Sequence, residues 1–301
     1  MTQRLIGVDV GGTKVSVAVL DGTALSAPKL SPTAVGSTDA LVEQLASAIE
    51  AAGPSEAVGI GVPSVIDFAT GTARFSVNIP LAGVPLRHLL TERLRRPVFV
   101  DNDATVAALA EAYDDELRPI AQSVVMFTVG TGVGGGIVLG GRIYRGATGA
   151  AAELGHTVVA ADLLDGAPQH ALRYPQPGSL ERAASGRALD ALGHDRGLAD
   201  GPAVVAAAQD GDPEAIDALR ILGERLGVGI ANAINTFDPE LVVIGGGVSA
   251  AGDLLLDPAR ESAARFVVPG VGTQTRIEIA RHGPRAGVLG AALLAGQEVD
   301  R

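Results

Sequence analysis

Apolar positions recur along the chain in two periods, and their alternation outlines the fold before any single residue matters. Residues 5–8 form a short apolar run of the kind that makes a buried strand, and residues 15–20 form a second, β-branched at Val15, Val17 and Val19. Between them, Asp9-Val10-Gly11-Gly12-Thr13-Lys14 predicts a glycine-turned hairpin. Leu41, Leu45, Ala48 and Ile49 then follow at helical spacing, with Thr38 or Asp39 as cap and Gly53-Pro54 as the stop. Residues 58–62 read as a strand closed by Pro63, residues 64–82 as a loop-rich stretch with Asn78, Ile79 and Pro80 near its end, and 85–94 as a helix. Val98, Phe99 and Val100 make a strand that runs into Asp101-Asn102-Asp103, ahead of an alanine-rich helix from 104 to about 113. Such a β-α-β-α alternation, ending in polar residues at a strand-to-helix junction, is where open α/β sheets place chemistry.

The charged stretch 114–119 breaks this pattern and sets an expected boundary: a first α/β domain over 1–115 and a second over 116–283. A closing helix at about 284–301 is expected to pack back on the first domain. Residues 123–128 read as a strand, 129–136 as a glycine-rich turn and 137–139 as a strand. A shift of 119 residues lays Val10 on Val129, Gly11 on Gly130, Leu20 on Leu139 and Gly22 on Gly141, so strand, glycine turn and strand occur twice. Two such hairpins facing each other would form a cleft between duplicated domains. Further on, an irregular stretch runs to Gly178, followed by helices over 180–192 and 213–235 and a buried strand at 241–244 stopped by Gly245-Gly246-Gly247. A helix over 254–266, kinked or restarted at Pro258, a short strand at 277–279 and a helix from 287 to 294 close the chain.

Composition narrows the class. At 301 residues, 47% hydrophobic and 19% charged, the chain is a globular protein of one large or two ordinary domains. No apolar run is long enough for a membrane helix, and the first strand begins at once, without a signal-peptide stretch. A net charge of -11 argues against a general nucleic-acid surface yet leaves room for a local phosphate site. The absence of cysteine removes disulfides, thiol catalysis and thiolate zinc. A cytoplasmic enzyme or binding protein fits.

Three glycine segments carry the phosphate chemistry. Gly11 and Gly12 can approach a transferred phosphate from one domain and Gly130, Thr131 and Gly132 from the other, while Gly245, Gly246 and Gly247 let a nucleotide lie against backbone. Asp9 can face a metal ion, Thr13 offers a hydroxyl and Lys14 a positive charge. The pattern is neither the Gly-x-x-x-x-Gly-Lys loop nor the dinucleotide fingerprint, and packing turns are its bland alternative. Asp103 is the leading general-base candidate for phosphoryl transfer to an alcohol, with Asp101 in reserve; either can instead cap the helix at Ala104. Asn102, Glu153, His156 and Glu181 suit an acceptor with several hydroxyls, and His156 is also a possible base or metal ligand. Five scattered histidines without cysteine leave no structural zinc site in view.

Asp9-Val10-Gly11-Gly12-Thr13-Lys14, Asn102-Asp103-Ala104, the 128–136 run, Glu153-Leu154-Gly155-His156, the 181–186 segment and Gly245-Gly246-Gly247-Val248 together resemble the ROK family of bacterial sugar kinases, especially its glucokinases. The resemblance spans nearly the whole chain. It implies an actin-like ATPase (ribonuclease H-like) fold with two similar α/β domains around a central cleft, and phosphoryl transfer from magnesium-ATP to the 6-hydroxyl of glucose. It further implies Asp103 as base, Asn102, Glu153, His156 and Glu181 as sugar ligands, Asp9 as a magnesium partner, possible use of polyphosphate as donor, and a homodimer or homotetramer. Other sugars (N-acetylglucosamine, N-acetylmannosamine, mannose, fructose) or a non-catalytic sugar sensor remain as alternatives. The family's Cys-x-Cys-Gly-x-x-Gly-Cys-x-Glu zinc motif falls here on Leu172, Tyr174, Pro175, Gly178 and Ser179 before Glu181, so no zinc is expected and the loop 157–179 must be ordered otherwise. Thr105 also stands where the glucokinases commonly carry asparagine. The family's repressors bear a DNA-binding domain ahead of the first hairpin, and only Met1 to Arg4 precede it here.

Overall fold

The computed structural model describes residues 3–76, 78–164, 166, 167 and 170–299. The chain divides into two compact units: Met1–Gln122 with Gly136–Ala152 and Arg281–Arg301, and Ser123–Gly135 with Glu153–Ala280. A single cut near residue 115 does not describe this division, because 136–152 belongs with the first unit.

The first sheet is built from β1 (Arg4–Val10), β2 (Lys14–Asp21), β3 (Ala24–Leu25), β4 (Lys29–Pro32), β5 (Ala57–Val62) and β8 (Val98–Asn102). Its order is β3-β2-β1-β5-β8, with β4 also on β2. β1 and β2 form an antiparallel hairpin, while β1, β5 and β8 run parallel. Helices α1 (Thr38–Ala51), α2 (Leu86–Leu94) and α3 (Asp103–Glu111) connect these strands. The alternation of β1 decides what each face meets. Ile6, Val8 and Val10 point into a core with Leu41, Leu45 and Ile49 of α1. The opposite face carries Gly7 and Asp9 and receives α9 (Ala286–Val299), the closing helix. A Cβ on Gly7 would collide with the carbonyl of Val288, one on Gly59 of β5 with that of Ala291, and one on Gly290 with that of Val106 in α3. The absence of side chains at these positions lets α9 lie backbone-to-backbone on the sheet and on α3.

A second sheet repeats the plan. β9 (Val124–Val129), β10 (Val133–Leu139), β11 (Arg142–Ile143), β12 (Leu241–Gly245) and β13 (Arg276–Ile279) are ordered β11-β10-β9-β12-β13. β9, β12 and β13 are parallel, matching β1, β5 and β8. Around it lie α4 (Leu180–Ala184), α5 (Gly186–His194), α6 (Gly201–Gln209), α7 (Pro213–Phe237) and α8 (Asp253–Phe266). Two mixed α/β sheets flanked by helices, with one strand plan used twice, make the actin-like, ribonuclease H-like fold. Among the described residues no helix is long and apolar enough to cross a membrane.

Several local expectations are corrected. Residues 64–82 contain a hairpin, β6 (Ser64–Asp67) with β7 (Thr72–Ser76). The helix over 180–192 breaks at Ser185, whose backbone is extended and whose hydroxyl accepts the N–H of Ala188, capping α5 as Ser179 caps α4. α6 is an additional helix beyond the expected set, although Asp200 caps it and proline follows in its first turn. The cap of α1 is Ser37 rather than Thr38 or Asp39, and the cap of α3 is Asn102 rather than Asp101 or Asp103. β10 begins at Val133, so the glycine turn is confined to 130–132. α8 runs through Pro258 without a break.

Candidate functional site

In the first unit the residues assigned to phosphate lie at the β1–β2 turn. The N–H of Gly11 donates to the carbonyl of Lys14 at 2.8 Å, and Thr33 ties the turn to β4 by donating its N–H to Thr13 and its hydroxyl to Gly11. The N–H groups of Gly12 and Thr13 take no partner among the described residues, and Gly12, Thr13 and Lys14 are exposed. Two free donors beside an ammonium suit an anion. A Cβ on Gly12 would stand 3.5 Å from that of Asn78, an exposed side chain to which the sequence pattern gives no role.

Asp9, next to last in β1, lies on the α9 face, where a Cβ on Gly287 would come within 2.6 Å of its Cγ. Burial foremost, and then the negative charge of Asp103, push the Asp9 carboxyl up to about 6, against the pull of Lys14. A divalent cation relieves both causes, so the donor chemistry fits magnesium. Among the described residues no group of three or more acidic, histidine or cysteine side chains is arranged to hold a metal. Magnesium takes one or two carboxylates and completes its shell with phosphate oxygens and water, so a single carboxylate such as Asp9 is compatible with it.

Asp103 opens α3 and Asn102 closes β8. The Asn102 side chain accepts the N–H of Thr105 at 3.1 Å and donates to Asp103 Oδ1 at 3.1 Å; the same Oδ1 accepts the N–H of Ala104 at 2.9 Å. Neither bond uses Oδ2. Burial raises the Asp103 carboxyl above its ordinary range, with the Ala104 and Asn102 donors opposing, which suits a group that must take up a proton. Asp101 is buried and turned elsewhere, its Oδ2 accepting from Arg145 Nε at 2.7 Å.

In the second unit three segments converge on the 130–132 turn and the strand ends that flank it. The N–H of Gly130 donates to Gly132 at 2.9 Å, and its carbonyl accepts the N–H of Gly186 at 2.7 Å. Glu181 Oε2 accepts the N–H of Val133 at 2.9 Å and lies where a Cβ on Gly132 would be. Gly155, between Glu153 and His156, leaves no room for a Cβ against the carbonyl of Val133. Gly246, at φ 87°, passes equally close to Val129. The N–H groups of Thr131 and Gly132 take no partner among the described residues, as at the first turn. Gly245 is buried against Met126, while Gly247 faces open space. Glu153 and His156 are exposed, 3.8 Å apart between Oε2 and Nε2, and the ring of Tyr174 stands edge-on to that of His156 at 5.5 Å. Within the loop 157–179, residues 165, 168 and 169 lie outside the described residues.

Each unit thus gathers its own share: Asp9, the first turn, Asn102 and Asp103 in one, and Gly130 to Gly132, Glu153, His156, Glu181 and Gly245 to Gly247 in the other. Arg145, which buries its charge against Asp101, is not among the residues the sequence pattern marks, and nothing in its neighbourhood sets it apart from Arg142 three residues earlier.

Comparison with known proteins follows the same lines. A family model described as ROK family matches residues 5–298. A glucokinase of Streptomyces coelicolor is 37% identical over 316 residues, covering 96% of each chain. An N-acetyl-D-glucosamine kinase of Salmonella heidelberg is 37% identical over 303 residues, covering 96% of this chain and 98% of its own. The crystal structure of a Streptomyces griseus ROK family glucokinase in complex with glucose and AMPPNP superposes with a TM-score of 0.78 at 33% identity, covering 98% of this chain and 99% of that one.

Proposed function

The chain belongs to the ROK family and is an ATP- and magnesium-dependent sugar kinase, and from that premise we propose that it phosphorylates the 6-hydroxyl of glucose or of an N-acetylhexosamine, with Asp103 as general base. The observation that carries the reading is the Asn102–Asp103 junction: a carboxylate with one oxygen fixed by two donors, the other left to a hydroxyl, and a proton affinity raised by burial. The hydroxyl proton passes to Asp103 as the sugar oxygen bonds to the γ-phosphorus and the bond to the ADP oxygen breaks. Asn102, Glu153, His156 and Glu181 hold the sugar's other hydroxyls. Gly11, Gly12, Thr13 and Lys14, with Gly130, Thr131 and Gly132, donate to the phosphates, and Gly245, Gly246 and Gly247 take the nucleotide against backbone. Bound magnesium, held by Asp9 directly or through water, neutralises phosphate charge.

Glucose and N-acetylglucosamine stand level, since relatives named for each share the same identity with this chain. The deciding chemistry is the room for an acetamido group at carbon 2. We also propose a cytoplasmic homodimer or homotetramer, on the family resemblance, to be read by light scattering.

The test is turnover of the purified protein on a panel of hexoses and N-acetylhexosamines, run separately with magnesium-ATP and with polyphosphate. The expected product is a sugar 6-phosphate formed with magnesium-ATP. Sugar binding without turnover would favour a sensor, and no turnover on any sugar would overturn the reading.

A further inference from the structure

Arg145 follows β11 in the 136–152 segment and is engaged from three directions. Its Nε donates to Asp101 Oδ2 at 2.7 Å, a terminal nitrogen lies 3.7 Å from Glu298 Oε1 in α9, and its guanidinium carbon lies 3.5 Å from the ring centroid of Phe68 in the β6–β7 turn. Only 2% of Asp101 is exposed. The second oxygen of Asp101 accepts the N–H of Asn102 at 2.9 Å, and Asn102 caps α3 and donates to Asp103 Oδ1. A continuous path of hydrogen bonds therefore leads from Arg145 through Asp101 and Asn102 to Asp103, all within the first unit.

We infer that Arg145, acting through Asp101, is a positioning residue that sets the aim of the Asp103 carboxylate. This rests on the reading of Asp103 as the base. Arginine is the residue type such a role calls for, because a planar guanidinium can stack on a ring by its face while it donates from its edge, which an ammonium cannot do. Without it, Asp101 loses its hydrogen-bonded cation and keeps only the unbonded charge of Arg87, which packs on the same Phe68 ring, so burial, which already raises its carboxyl, drives it to take up a proton or turn toward water. Either change alters the acceptor that holds the N–H of Asn102, and with it the first turn of α3 that carries Asp103. The competing account makes Arg145 a structural pin that ties the β6–β7 hairpin to α9. A pin would affect stability and both Michaelis constants together; a positioning residue acts on kcat.

The experiment is steady-state kinetics of Arg145→Ala, Arg145→Lys and Asp103→Asn beside the wild type, with thermal melts on each. A misplacement of about 1 Å at a reacting group costs roughly 100-fold, so kcat of Arg145→Ala should fall about 10- to 100-fold while KM for sugar and ATP stays within about 3-fold. Guanidinium ion added to Arg145→Ala should restore part of kcat, and Arg145→Lys, which keeps the charge without the stacked fork, should fall between. If the alanine variant does not fold, the lysine variant is judged by the same split. A kcat within about 3-fold of wild type, or parallel losses in kcat, KM and melting temperature without guanidinium rescue, overturns the inference. If Asp103→Asn is inactive while Arg145→Ala keeps its kcat, only the positioning role falls; if Asp103→Asn keeps its turnover, the base falls and the positioning role with it.

Discussion

Replacing Asp9 by asparagine should make the unliganded protein more stable and the enzyme inactive. Burial and the charge of Asp103 raise the Asp9 carboxyl from 3.8 to about 6, so holding it ionised in the folded protein is costly above that pH. The linkage relation, about 1.4 kcal/mol per pH unit, sets a ceiling of about 3 kcal/mol on that cost at neutral pH. The direction follows from where the proton sits. Between pH 4 and 6 the folded protein holds a proton on Asp9 that the unfolded chain has released, so stability rises as pH falls through 6, and most of the cost has gone by pH 4. Asparagine is nearly the same shape and carries no charge, so Asp9→Asn should exceed wild type by about 1–3 kcal/mol at about pH 7.5 and match it near pH 4. Denaturant unfolding of both proteins at the two pH values, without magnesium or nucleotide, measures this. Added magnesium-ATP should then stabilise wild type far more than the variant, in proportion to binding. A variant less stable than wild type at the higher pH, or a gain independent of pH, would refute the reasoning, because the burial cost of Asp9 would not be electrostatic.

Other expectations follow from close approaches and from the missing thiolates. Gly132→Ala puts a methyl where Glu181 Oε2 accepts the N–H of Val133; sugar KM should rise markedly, with about 1–3 kcal/mol lost in unfolding experiments, and an unchanged KM would separate Glu181 from the sugar. Gly59→Ala drives a methyl into the carbonyl of Ala291 and should lower stability by about 1–3 kcal/mol or more through displacement of α9; an unshifted melt would show that the helix yields freely. Dialysis against a zinc chelator, followed by resupply of magnesium alone, should leave activity intact, and stoichiometric zinc by elemental analysis would contradict the reading of the 172–179 loop.

The hydrophobic pattern makes the sheets legible because a strand buried on both faces has little else it can be, as β5 and β12 illustrate. It fails where side chains take over from periodicity. Ser185 divides one expected helix into two through a single hydroxyl, and the β6–β7 hairpin hides in a stretch that holds both turn residues and alternation. The glycines mark the site in advance, but what each makes room for does not show in sequence. Gly132 admits Glu181 from 49 positions along the chain, and Asp101 meets Arg145 from 44 positions away. Spacing marks candidate residues; only the fold pairs them.

The loop 157–179 carries none of the cysteines of the family's zinc motif. Where family members clip this segment through thiolates, the chain uses ordinary bonds. Val159 and Ala160 both donate their N–H groups to the carbonyl of Gly178, and Gln176 exchanges bonds in both directions with the backbone of Ala171. Arg182 Nε donates to the carbonyl of Pro175, and Ser179 caps α4. Each such bond contributes about 1 kcal/mol net, against roughly 10–16 kcal/mol for a structural zinc. The hydrogen bonds can close the loop, while among the described residues the His156 ring meets the edge of Tyr174 and the Glu153 carboxylate, and its backbone N–H donates to the Glu153 carbonyl. The orientation of its ring is therefore set by packing at Tyr174, a position the metal motif gives to cysteine. On the proposed roles, a change of ring at Tyr174 should shift the ratio of kcat/KM between glucose and N-acetylglucosamine while kcat on the better sugar stays within about 3-fold.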